Sequence, residues 1–289
     1  MRKAVYDIEN LQAIHPIFKN KIVAFFAKKF MKWISVEKVN QIHANHCHLR
    51  GAEFTSAMLA DPLMDVKYII HHKERLDLLP EGAFITVSNH PIGSLDGIIL
   101  IDIFASRRKD YKFMVNGILE NVGAMADNFI PVKPRTNDKA QENPANVNGV
   151  RTTLGWLKEG HPMGFFPAGS MSFWNEKKEV RDRPWTHSVI RLIRKANVPV
   201  YPVFFDCQNS RLFYWLGKID WRLRTLLRTA EEAFNKRGQT LDVYIGQPIP
   251  AEIIQQYPDD TQLADFLYQA TYGSASPHGK IETACCISQ

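Results

Sequence analysis

The sequence predicts an α/β domain, a central sheet covered by helices, with a helical segment ahead of it. Two observations carry this reading. From residue 83 onward, short β-rich runs alternate with longer helical stretches, the pattern of strands and helices packed around one sheet. Ahead of that point, over roughly the first 75 residues, apolar side chains recur at helical spacing.

In the N-terminal segment, Ile17 to Ile34 carries an apolar stripe of Phe18, Ile22, Phe25, Phe26, Phe30 and Trp33. Lys21, Lys28 and Lys32 lie on another face, and Lys29 falls near the stripe. The pattern fits a helix lying in a membrane interface, lysines toward headgroups and aromatics toward acyl chains. It fits equally a helix covering the core. Strands are expected at Ala83–Ser88, Lys112–Val115, Phe129–Val132, Met163–Phe166, Val198–Phe205 and Leu241–Ile245. Helices are expected at Gly97–Ser106, Asn146–Glu159, Trp185–Lys195 and Asp220–Arg237. Arg135–Asn148 is polar and reads as an exposed, mobile loop. The expected division is a helical, membrane-contacting segment 1–75, a domain 76–272 and a loosely ordered tail 273–289.

Composition bounds the partners. With 45% hydrophobic and 23% charged residues in 289, the chain is long enough for a real core and is neither disordered nor fibrous. A net charge of +6 favours an anionic partner: nucleic acid, anionic lipid or a phosphate-bearing cofactor. Cys47, Cys207, Cys285 and Cys286 lack C-x-x-C spacing, which argues against zinc or a disulfide framework and for a reducing compartment. No run of roughly 18 apolar residues reads as a membrane span, and residues 1–10 do not read as a signal peptide. The expected location is the cytosol or the cytosolic side of a membrane. The last four residues, Cys286 to Gln289, match a prenylation signal in form; Ser288 is a poor aliphatic, and the match is taken as coincidence.

Four features at strand ends carry chemistry. The first is Asn89-His90-Pro91-Ile92-Gly93-Ser94-Leu95-Asp96. A carboxylate there can fix one imidazole nitrogen and leave the other to take a proton. Pro91 and Gly93 suit a tight loop, and Ser94 suits a helix cap. The bland alternative is a capped helix beside an ordinary loop histidine. The second is Phe165 to Ser172, a strand ending in a Pro-x-Gly-Ser turn whose amides and hydroxyls can face an oxyanion. The third is Phe129 to Arg135, where Lys133 and Arg135 can clamp an anion or merely be solvated. The fourth is Val198 to Val203, an apolar strand suited to an acyl channel or, more simply, to the core. Further on, Arg222, Arg224 and Arg228 alternate with Trp221, Leu223, Leu226 and Leu227, a second basic, apolar helix that fits anionic lipid or a solvated face.

In their order and placement these blocks resemble the glycerolipid acyltransferase superfamily, marked by N-H-x-x-x-x-D, an arginine after an apolar strand, F-P-E-G-T-R-S and V-P-hydrophobic-P-V. The branch they are most similar to is the hemolysin-like acyltransferases, including lyso-ornithine and lyso-glycine lipid O-acyltransferases. Its N-H-P-x-G-x-x-D-G, F-P-A-G, D-R-P-W and N-S-x-L-F-Y stand here at Asn89–Gly97, Phe166–Gly169, Asp182–Trp185 and Asn209–Tyr214. The chain departs from the wider pattern twice. Five residues rather than four separate His90 from Asp96, and Ala168 and Met171 stand where the wider family has Glu and Arg. Losing both charges makes glycerol-3-phosphate and lysophosphatidate less secure as acceptors.

The resemblance implies a mixed sheet flanked by helices and a bacterial enzyme of lipid biosynthesis. It would transfer a fatty acyl group directly from acyl-CoA or acyl carrier protein to a hydroxyl of a lyso-lipid, an amino-acid lipid or a glycerophospholipid precursor. His90 would be the base and Asp96 its orienter. Asn89, Gly93, Ser94, Lys133, Arg135, Pro167, Gly169, Ser170 and Arg183 would bind substrate, with no metal and no cofactor beyond the co-substrate. The enzyme would be peripheral, on an anionic membrane surface at its cytoplasmic face. Its rivals are lipid hydrolysis on the same fold and a membrane-lytic, hemolysin-like protein without transferase activity. Nucleic acid is disfavoured for want of a matching motif.

Overall fold

The computed structural model describes residues 4–9, 12, 15–116, 119, 121–132 and 144–275. A 3-10 turn at Pro16–Lys19 leads into α1 (Lys21–Trp33), capped by the Asn20 side chain on the Ile22 and Val23 amides at 2.9 and 3.3 Å. No residue of α1 is buried; Ile22, Phe25, Phe26, Phe30 and Trp33 all stand in solvent. Of the two readings of this stripe, core cover is therefore excluded. Lys29 lies over the Phe25 ring at 4.8 Å, which reconciles its position near the stripe with its charge.

Helices α2 (Val36–His46) and α3 (Gly51–Ala60) follow, and then an edge strand, β1 (Lys67–His71). This corrects the expectation of helix through residue 75. The strand exists because it pairs in parallel with β9 (Thr240–Ile245), a partner some 170 residues away that local spacing cannot reveal. The remaining strands are β2 (Ile85–Ser88), β3 (Lys112–Asn116), β4 (Phe129–Val132), β5 (Met163–Phe165) and β8 (Val200–Asp206). The seven-stranded sheet runs β1-β9-β8-β2-β5-β3-β4. Only β8–β9 is antiparallel, so the expected mixed sheet is borne out. A short hairpin, β6–β7 (Phe173–Trp174 and Val180–Arg181), stands apart.

Helix α4 (Ser94–Ala105) is apolar all round and nearly every residue of it is buried, as expected for a helix packed on all sides. It lies on one face of the sheet with α3. There Asp102 accepts hydrogen bonds from Thr55 Oγ1 (3.1 Å), the Ser56 hydroxyl and Tyr68 Oη (2.5 Å). Burial first, and then Asp102, push the Tyr68 phenol upward. Helices α5 (Pro144–Lys158), α6 (His187–Ala196) and α10 (Asp260–Tyr272) cover the other face with a second core. The expected loop Arg135–Asn148 thus ends in helix from Pro144; residues 135–143 lie outside the described residues.

Helices α7 (Arg211–Ile219) and α8 (Trp221–Phe234) form a pair, and α9 (Ala251–Gln255) precedes α10. Sequence spacing located α8 but not α7 or α10. The residues after Tyr272 begin with a 3-10 turn, Gly273–Ala275, whose Ser274 is buried; the rest of the expected tail lies outside the described residues. The fourth strand-end block is core, since Val200, Tyr201 and Val203 are buried between β9 and β2.

Candidate active site

Strands β2 and β5 are parallel neighbours with Val87 opposite Phe165. Their following loops therefore leave the same edge of the sheet, where sites gather in α/β folds. The first loop places His90 Nδ1 3.0 Å from Asp96 Oδ2. That carboxylate oxygen also accepts the Ile92 and Gly93 amides, both at 2.9 Å. Asp96 is wholly buried at the start of α4 and His90 is 17% exposed. Backbone donors and the helix N-terminus suit a charged carboxylate there. With Nδ1–H directed at Asp96, Nε2 is the nitrogen left to take a proton. The imidazole stacks on Phe166 at 3.7 Å between centroids, which sets its plane.

The longer spacing between His90 and Asp96 is accommodated by Gly93. Its backbone sits at φ 112°, ψ −117°, a region closed to side-chain-bearing residues. Gly93 is also the helix cap, with Asp96 folding back onto its amide. Ser94, expected as the cap, is instead the first residue of α4.

The second loop holds His90 from behind. The His90 carbonyl accepts the Ser172 amide at 2.8 Å, and the His90 amide donates to Asp182 Oδ1 at 3.2 Å. The Ser172 hydroxyl donates to the same Asp182 oxygen at 2.5 Å, and Trp185 Nε1 to the other at 3.4 Å. Burial pushes the Asp182 carboxyl above the usual carboxylate range, although Ser172 and His90 oppose the shift. The D-R-P-W block, legible in the sequence as a motif only, thus anchors the backbone of His90. The N-S-x-L-F-Y block does likewise for the loop: Asn209 Nδ2 donates to the Ile92 carbonyl at 3.1 Å, and Ser210 is held by the buried Glu232.

Several residues expected to bind substrate have partners inside the protein. Asn89 directs both ends of its amide at Phe205, at 2.8 and 3.0 Å, which joins the ends of β2 and β8. The Pro167 carbonyl takes the Thr186 amide and hydroxyl at 2.9 and 3.0 Å, and the Gly169 amide bonds the Phe166 carbonyl at 2.9 Å. Gly169 N–H is therefore not an oxyanion donor. The Ser170 hydroxyl is buried without a partner among the described residues. Arg183 is exposed, its guanidinium 5.3 Å over the Phe173 ring. Lys133 and Arg135 lie outside the described residues. Arg224, expected on a lipid-facing or solvated helix face, is buried. Sequence periodicity missed it because its neighbours Trp221, Leu223 and Leu226 face outward instead.

Residues 11–275 match the acyltransferase family. The chain belongs to that family. Two relatives are named lyso-glycine lipid O-acyltransferase, from Phocaeicola vulgatus and Bacteroides thetaiotaomicron. Each is 27% identical over 274 residues, covering 92% of this chain and 94% and 96% of the relative. A solved structure, the 1-acyl-sn-glycerophosphate acyltransferase PlsC from Thermotoga maritima, aligns with TM-score 0.47 at 13% identity. That alignment covers 88% of this chain and 95% of the other. The family resemblance read from the motif order is borne out.

The arrangement offers an imidazole whose Nδ1 is held by a buried carboxylate and whose Nε2 is turned away from it, and a turn after β5 with a hydroxyl that has no partner among the described residues. No helix among the described residues is long and apolar enough to cross a membrane.

Proposed function

We propose that this acyltransferase moves a fatty acyl group from acyl-CoA or acyl carrier protein onto the hydroxyl of a lyso-lipid with an amino-acid headgroup. The observation that carries the reading is the His90–Asp96 pair at 3.0 Å. Nε2 of His90 takes the proton of the acceptor hydroxyl as its oxygen attacks the thioester carbonyl. The tetrahedral intermediate collapses with loss of the thiolate, which receives the proton back from the imidazolium. The Ser170 hydroxyl, buried and without a partner among the described residues, is suited to meet the oxyanion.

Charge supports this choice of acceptor. Ala168 and Met171 leave the turn after β5 without the Glu and Arg of the wider pattern, which disfavours a phosphate there. Exposed Arg183, directly after Asp182, suits a single carboxylate. The relatives' printed substrate, a lyso-glycine lipid, agrees with that chemistry.

The same proposal places the enzyme peripherally on an anionic membrane at its cytoplasmic face. Support comes from the exposed aromatics of α1 with their lysines, and from exposed Trp215, Ile219, Trp221 and Leu226 on α7 and α8. The Ser35 hydroxyl bonds Glu231, tying the end of α1 to α8. An oriented base has a use in transfer and none in lysis, which favours the enzyme over the lytic reading.

The test is transfer from labelled acyl-CoA and acyl carrier protein to lyso-glycine lipid, lyso-ornithine lipid, lysophosphatidate and glycerol-3-phosphate. His90→Ala should lower turnover by about 10²–10⁴-fold with the fold retained. Unchanged turnover in that variant would refute the role of His90. Preference for lysophosphatidate would refute the headgroup.

A further inference from the structure

Helix α8 carries three arginines, and they face different surroundings. Arg222 is exposed and Arg228 pairs with Glu232 at 3.1 Å, while Arg224 is only 4% exposed. Its guanidinium lies 5.0 Å over the Phe213 ring. It donates from Nη1 to the Ser172 carbonyl at 2.9 Å and from Nη2 to the Met171 carbonyl at 2.8 Å. No carboxylate pairs with it among the described residues. Burying a cation against two carbonyls and a ring, with no carboxylate, is unfavourable by itself, so the segment it grips needs a reason to be gripped.

That segment holds His90. Ser172 donates its amide to the His90 carbonyl at 2.8 Å and its hydroxyl to Asp182 at 2.5 Å; Asp182 takes the His90 amide at 3.2 Å. The same helix reaches the other loop as well, since a Cβ on Gly93 would meet Thr229 Cγ2 at 3.2 Å. Helix α8 therefore touches both loops around the imidazole, and outward it presents Trp221 and Leu226.

We propose that Arg224 is the positioning residue of this site. It fixes the Met171–Ser172 backbone and, through Ser172 and Asp182, the backbone of His90, keeping the imidazole in register with Asp96. The kinetic part of the test rests on the transfer reading above; the spectroscopic part does not.

Arg224→Met keeps much of the volume and removes both donors. Turnover should fall about 10²-fold, the usual effect of misplacing a reacting group by about 1 Å. KM for donor and acceptor should change by less than about threefold, because the lost interaction acts on kcat. The proton signal of His90 Nδ1–H, assigned by its absence in His90→Ala, should shift or broaden. Arg224→Lys, reaching one carbonyl at a time, should recover part of the turnover and of the signal. Unchanged kcat, a KM rise at constant kcat, or an unchanged imidazole signal would each overturn the proposal. Should Arg224→Met fail to fold, Arg224→Lys decides alone: a roughly tenfold loss of kcat with a shifted signal supports positioning, and wild-type values refute it. If the wild type transfers to no lyso-lipid, the functional reading fails, and the imidazole signal still decides Arg224.

Discussion

His90 and Asp96 meet at 3.0 Å although five residues lie between them, and Gly93 is the residue that lets the loop close. Its φ of 112° is strained for any side chain, and a Cβ would stand 2.8 Å from Met171 Sδ. Gly93→Ala should therefore destabilise the fold by about 1–3 kcal/mol. Turnover should fall further than stability explains, because the pair separates. Denaturant titration beside kinetics checks this; wild-type turnover in Gly93→Ala would show that the loop tolerates another path.

One oxygen of Asp96 accepts the His90 imidazole and two amides, so the proposed chemistry and the local fold share it. Asp96→Ala leaves both amides buried and unpaired and should cost about 2–5 kcal/mol. Asp96→Asn keeps an acceptor oxygen, so it should be milder in stability, yet it removes the charge that favours the imidazolium. Turnover in Asp96→Asn should drop by at least about tenfold. A drop in turnover that tracks Tm alone across both variants would reduce Asp96 to a helix cap.

Asp182 predicts a pH dependence of stability. Burial raises its folded carboxyl above the unfolded value, so the folded state holds the proton more tightly. Its contribution relative to Asn is greatest below the unfolded value, about 3.9. It declines as pH rises through the raised folded value. The Tm difference between Asp182→Asn and wild type should accordingly move in favour of the variant as pH rises across that window. A difference that is flat with pH, or moves the other way, would mean the carboxyl is not raised.

The apolar face of α1 predicts membrane partitioning. Phe26 and Trp33 are 63% and 67% exposed, and burying two such side chains is worth about 2–4 kcal/mol. Replacing both by Glu should weaken binding to phosphatidylglycerol vesicles by roughly 30-fold or more and leave Tm nearly unchanged. Binding that survives the substitution would remove α1 from the contact.

Much of the layout of the candidate site is legible in the sequence, and for a physical reason. A strand, a turn and a helix start are local events, so Asn89 to Asp96 and Phe165 to Ser172 could be placed at strand ends from spacing and residue type. The same logic failed where a partner is distant. Lys67–His71 follows a helical run and its Tyr68, Ile69 and Ile70 suit a strand only once a partner is supplied, which is β9. Asn89 looked like a substrate ligand until Phe205 took both ends of its amide.

The sequence by itself determined which candidate groups lie close along the chain: an imidazole with a carboxylate in reach, a glycine between them, and a turn after β5 without the Glu and Arg of the wider pattern. These follow from residue type and short spacing. Only the tertiary structure decided what holds them still. Asp182 and Ser172 bond the His90 backbone from distant segments of the chain, and Arg224, on a helix whose pattern reads as surface, bonds the Ser172 and Met171 carbonyls. Which side of such a helix is buried depends on what packs against it, and that is a property of the assembled fold.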